Sequence, residues 1–143
     1  MVRQIKMQYK NSSSPEILKQ MSLCAQFISK HAPELIELEG DSKWTQGNLL
    51  FRFPEDEQGF YAFMLGALAS KKVSLHIMPL YGIEHFRVKY EQAFKPFISG
   101  KSCIQFSKFN DLPQKALLDV VKNGTKQFKS VMQAQRNKKS TNR

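Results

Sequence analysis

Cysteine is scarce in this chain of 143 residues: Cys24 and Cys103 are the only two, and they lack CxxC spacing. The start of the chain has no signal-like apolar segment, so a reducing, cytoplasmic setting is expected. Long apolar runs are missing too. None approaches the roughly 18 residues of a membrane span, so a soluble protein with no membrane partner is expected. Internal repeats and a second-domain boundary are also absent. Gly100-Lys101-Ser102 resembles the end of a phosphate loop, but no Gly lies from Gln92 to Ser99 and a strand pattern follows where a helix is needed. A Walker motif is therefore excluded, and Gly100 reads as a turn. No RNP-type motif occurs either.

Acidic residues are few and confined. The formal net charge is +10. Residues 1–33 carry five Lys/Arg against one acid, and residues 58–143 carry fifteen against four. Residues 34–57 reverse the balance, with Glu34, Glu37, Glu39, Asp41, Glu55, Asp56 and Glu57 against Lys43 and Arg52. Such polarity suits polyanions over most of the surface and a cation locally, while also serving solubility.

What the chain does have is a core. Hydrophobic residues make up 41% of it, with eleven Phe, enough for one domain without a disulfide or metal staple. Residues 1–12 read as a loose arm, 13–132 as the domain and 133–143 as a basic flexible tail. Ser13 or Ser14 caps a first helix with Pro15 in its opening turn. Ile17, Met21, Cys24 and Ile28 form its apolar stripe, which makes Cys24 a buried hydrophobe. Ala32-Pro33 ends that helix. Glu34–Gly47 is turn-prone and holds the single tryptophan, Trp44.

Three strands follow. Asn48–Phe53 alternates, and Phe60–Ala69 is apolar on both sides, as a central strand would be, with Gly66 as a possible bulge site. Periodicity alone also fits a helix there. Lys71–Gly82 (KKVSLHIMPLYG) is the organising strand: Val73, Leu75 and Ile77 face one side and Ser74, His76 and Met78 the other, until Pro79 stops it. Ile83, Phe86, Tyr90 and Phe94 then recur at helical spacing. Cys103–Phe106 forms a short strand with Ile104 and Phe106 inward. A last helical region begins at Asn110-Asp111 with Pro113 in its first turn, and runs through Gly124 as one kinked helix or two. The expected class is α+β: a mostly antiparallel sheet covered on one face by helices, in the order α-β-β-β-α-β-α. The other face is left to solvent or a partner.

KKVSLHIMPLYG, the helix after it and GKSCIQFSKFNDLP together resemble the YdhG-like domain family of unknown function. Lys71, Val73, Ser74, Leu75 and His76 match that family's Lys-x-x-Val-Ser-Leu-His strand, with one residue fewer after the lysine. Gly100, Lys101, Ser102, Cys103, Ile104 and Phe106 match its second motif, and the resemblance runs from about Trp44 to Val121. It implies a frataxin-like sheet covered on one side. Because some members are described as iron chaperones, it also implies Fe²⁺ as ligand and iron-cluster or haem-assembly proteins as partners. Frataxin-type binding uses carboxylates on the first helix and the following strand; this first helix offers only Glu16.

Four candidate sites emerge. The acids Glu34, Glu37, Glu39, Asp41, Glu55, Asp56 and Glu57 supply oxygens that suit Fe²⁺ or Mg²⁺. Glu34, Glu37 and Asp41 share a face only if their segment is helical. Ser74, His76 and Cys103 meet on the polar sheet face if their strands are neighbours, where they suit a soft or borderline metal or a thiolate activated by imidazole. Lys71, Lys72, Lys101 and Ser102 suit a bound anion. Lys71, Lys72, Lys101 and Lys108, with Tyr61, Phe63 and Phe109, suit a nucleic acid stacked on an open sheet. No oriented acid–base pair accompanies Cys103, so the sequence predicts a non-enzymatic binding or chaperone module, with nucleic-acid or polyanion binding as the alternative.

Overall fold

Alternation at Val73, Leu75 and Ile77 is realised as a strand with those three side chains wholly buried. The computed structural model describes residues 15–40, 47–55, 61–68, 72–99 and 103–141. Helix α1 (Pro15–His31) leads into strands β1 (Ile36–Glu39), β2 (Leu49–Arg52), β3 (Phe63–Ala67) and β4 (Val73–Ile77). A short helix α2 (Met78–Gly82) and helix α3 (Glu84–Phe94) intervene before β5 (Cys103–Phe106). Helices α4 (Gln114–Asp119) and α5 (Thr125–Thr141) close the described chain. The five strands pair antiparallel in the order β1-β2-β3-β4-β5. Among the described residues no helix is long and apolar enough to cross a membrane.

The α1 stripe is buried as its spacing predicts, with Ile17, Met21, Cys24 and Ile28 packed against β3 and β4. Burial pushes the Cys24 thiol far above its ordinary range, consistent with a small core hydrophobe. Phe86 and Phe94 of α3, Leu117 of α4 and Phe128 of α5 join the same core as Phe51, Phe63, Leu65 and Leu75 of the sheet. Each such side chain contributes about 1.5–3 kcal/mol by leaving water. The described helices thus bury their apolar faces on one side of the sheet.

The observed order differs from α-β-β-β-α-β-α in two places. The segment read as a turn contains β1, whose Ile36 and Leu38 alternate with Glu37 and Glu39 at the period of a strand. Its pairing runs Ile36↔Arg52 to Glu39↔Leu49. Charged side chains on an edge strand discourage further pairing, so the glutamates that mimic a loop belong to the sheet. Met78, expected to continue β4, instead starts α2, because Pro79 suits the first helical turn as well as it ends a strand. Met78 consequently packs against the core.

Gly66 marks no bulge; it keeps regular register opposite Ser74. A Cβ there would lie 1.9 Å from Asn48 Oδ1, so glycine lets the Asn48 side chain approach the strand. The last helical region starts later than expected: Phe109–Asp111 is a separate 3₁₀ turn, and Pro113 precedes α4. From there the chain stays helical through one π-type stretch, Val120–Gly124, into α5. That wider turn brings Gly124 against Pro79 of α2, where a Cβ would approach the proline ring to 3.1 Å. Helix α3 is tied to α4 by Asp119, which accepts hydrogen bonds from the Tyr90 hydroxyl and, at 2.6 Å, from Asn123 Nδ2.

Candidate functional site

Residues opposite one another on adjoining antiparallel strands project from the same sheet face. Register therefore sorts the side chains. Phe51, Phe63 and Ile77 form a row on the helix-covered face. On the other face Leu38, Leu50, Met64, His76 and Cys103 form a row that crosses all five strands. Beside it, Ser74 lies opposite Gln105. Leu50 is only 5% exposed although it stands outside the helix-covered core.

The condition set by the sequence for a polar-face site is met here: β4 and β5 are neighbours, and His76 is the direct partner of Cys103. Ser74 Oγ sits 2.9 Å from Cys103 Sγ, a diagonal contact across the two strands. Ser74 is largely buried, while His76 and Cys103 are half-buried. Burial holds the His76 imidazole below its ordinary pKa. It also pushes the Cys103 thiol up, against a smaller downward pull from the Ser74 hydrogen bond. Burial first, and the neighbouring Cys103 second, raise the Tyr61 hydroxyl. At neutral pH the cluster is thus a protonated thiol beside a neutral imidazole. A thiolate–imidazolium pair of the kind that activates a cysteine nucleophile is not what this environment favours.

The acids are distributed differently from a helical ridge. Glu37 and Glu39 are alternate residues of β1, opposite Phe51 and Leu49, so they share the helix-covered side at the sheet edge. Glu34 precedes the strand, and Glu55 follows β2 beside Lys129, with Nζ 3.5 Å from its Oε1. Asp41, Asp56 and Glu57 lie outside the described residues. Among the described residues, no three of His, Cys, Asp and Glu converge on a metal-sized site.

Of the proposed anion contacts, Lys72 precedes β4 and is exposed; Lys71, Lys101 and Ser102 lie outside the described residues. The stacking surface needs correction. Phe63 and Phe109 belong to the core, because each falls on the helix-covered side, and only Tyr61 of the three aromatics is near the face that none of the described helices covers.

A second concavity has no counterpart in the sequence-based expectations. Leu23, Gln26, Phe27, Lys30 and His31 of α1 border a groove of about 580 Å³ with Phe109 and Asn110. The Phe27 ring lies 4.6 Å from His31 and 5.4 Å from Phe109. Desolvation, then Lys30 and Lys122, lower the His31 pKa. Its sequence signal was the i,i+4 pair Phe27–His31 near the helix end. Met64 was the other residue missed; alternation in β3 puts it on the face opposite Phe63 and Leu65. Searches of the chain against protein-family models, curated proteins and solved structures give no match.

Proposed function

We propose that this protein is a non-catalytic binding domain of the YdhG-like kind that engages its ligand on the sheet face opposite the described helices. The observation that carries this reading is the meeting of Ser74, His76 and Cys103 in adjoining register positions, with Ser74 Oγ 2.9 Å from Cys103 Sγ. The two motifs resembling the YdhG-like family come from separate stretches of sequence, and their residues Ser74, His76 and Cys103 adjoin on β4 and β5. Burial, which raises the Cys103 thiol and lowers the His76 imidazole, works against a thiolate–imidazolium nucleophile and so supports a binding role over a catalytic one. Two free thiols also fit a reducing, cytoplasmic setting.

Iron handling of the frataxin type is the narrower form of this proposal, and it draws on Glu37 and Glu39 of the edge strand. Polyanion binding is the second reading, favoured by Lys30 and His31 on the border of the groove. One experiment separates them: amide chemical-shift mapping of the labelled full chain with Cu(I), Fe²⁺ and a single-stranded oligonucleotide as separate probes. The expected result is a probe whose shifts center on Met64, Ser74, His76 and Cys103. Shifts centered on Phe27, His31 and Phe109 with the oligonucleotide would favour the polyanion reading. Fe²⁺ effects confined to Glu37 and Glu39 would favour the acidic edge.

A further inference from the structure

We propose that Met64, His76 and Cys103 form a soft-metal site that takes one monovalent copper ion, Cu(I), on the sheet face opposite the described helices. This rests on the binding reading above and names its ligand. Three consecutive strands each contribute one donor to a single cross-strand row: the Met64 thioether from β3, the His76 imidazole from β4 and the Cys103 thiol from β5. Directly opposed side chains start about 4.5–5.5 Å apart at Cβ, so the register sets His76 between Met64 and Cys103 on one face of the sheet.

The donor set decides the metal. Thiolate and thioether select soft ions, imidazole suits copper as well, and carboxylate or carbonyl oxygens are what Mg²⁺, Ca²⁺ and Mn²⁺ require. A structural zinc site takes four Cys or His ligands in a tetrahedron; this row supplies one of each and a thioether, a set that suits copper. All three side chains are half-buried, so an ion reaches them from solvent and is then partly shielded. Buried Leu50 continues the row beyond Met64 and gives the site an apolar margin. Ser74 Oγ holds the thiol from the flank at 2.9 Å, which orients it before the metal arrives.

Binding is a proton-for-metal exchange. The Cys103 S–H bond breaks, an S–Cu bond forms, and the proton leaves to solvent. Copper enters and remains as Cu(I), so no electron acceptor is needed.

The test is an anaerobic titration of the full chain with Cu(I) held by bicinchoninate, whose colour falls as copper is withdrawn. One equivalent should move to the protein. Changes around a metal's ligands alone cost 10–100-fold in affinity, so Cys103→Ser should lower it by about 100-fold or more and His76→Gln by a similar order. Met64→Leu, which conserves volume, should lower it by about tenfold. Unchanged circular dichroism and thermal midpoint establish that the variants are folded. A wild-type chain that leaves the copper–bicinchoninate complex intact overturns the proposal, as do variants that withdraw copper like the wild type. If copper fails while another probe still shifts the His76 and Cys103 amides, the binding reading survives and only the metal falls. If no probe shifts them, both fall.

Discussion

Truncating Phe63 to alanine is expected to destabilise the protein by about 3–5 kcal/mol. Phe63 is 0% exposed at the centre of the sheet, with Phe51 of β2 and Ile77 of β4 as its partners in register. Helix α1 closes over the strand from above. The loss combines the transfer free energy of the ring with the cavity left behind, since a β-sheet pinned on both sides relaxes little. Domains of this size are stable by about 5–15 kcal/mol in all, so the effect takes a large share. Urea unfolding followed by circular dichroism measures it: the midpoint should fall with the slope unchanged. Val88→Ala is the control. Val88 is 67% exposed on α3, and its change should stay within about 0.5 kcal/mol. Equal effects of the two variants would contradict the assignment of the core face.

Replacing Gln20 with leucine is expected to cost about 1–3 kcal/mol even though the two side chains are of similar size. Gln20 is buried on α1, and its Oε1 accepts the Phe109 backbone N–H at 2.7 Å. Its Nε2 donates to Glu16 Oε1 at 2.9 Å. This one amide pins the 3₁₀ turn Phe109–Asp111 to the first helix. Leucine would leave the Phe109 N–H buried with no acceptor, the costly half of a broken hydrogen bond. Glu16→Ala breaks only the outer contact and should change stability little. Hydrogen exchange offers a local readout: the Phe109 amide should exchange faster in Gln20→Leu than in wild type, while amides of β3 keep their protection. Unaltered exchange at Phe109 would mean that the bond does not hold the turn.

Much of this architecture was legible in the order of residues, and the exceptions have physical causes. The stripe Ile17–Met21–Cys24–Ile28 and the alternation of Val73, Leu75 and Ile77 are local signals, and both face the core as their periods dictate. The third strand was also readable, although an apolar run such as FMLGA has no polar face to set its period. Strand β1 was hidden because four residues, two of them glutamate, carry too little periodicity to outweigh an acidic loop composition. The π-type stretch at Val120–Gly124 has no periodic signature at all. For the candidate site, alternation placed Ser74 and His76 on one face and Cys103 on the matching face of another strand. It could not say whether those strands touch. That depends on α2 and α3 folding back between them, a long-range outcome of packing. Met64 was missed for the same reason, since its relation to His76 exists only through the β3–β4 register.

The most direct test of the two-faced sheet, with its helix-covered core and its reachable Cys103 cluster, is native-state alkylation of the full chain by iodoacetamide, with each cysteine quantified by mass spectrometry. Cys103 should label in the folded protein, and Cys24 should remain unmodified until urea unfolds the chain. Because burial raises the Cys103 pKa, labelling should be slow at neutral pH and should accelerate about tenfold per pH unit while the thiol stays below its pKa, as the thiolate is the reactive form. Equal labelling of the two cysteines in the folded state, or a Cys103 that stays inert until unfolding, would contradict a partly exposed cluster around His76 and Cys103.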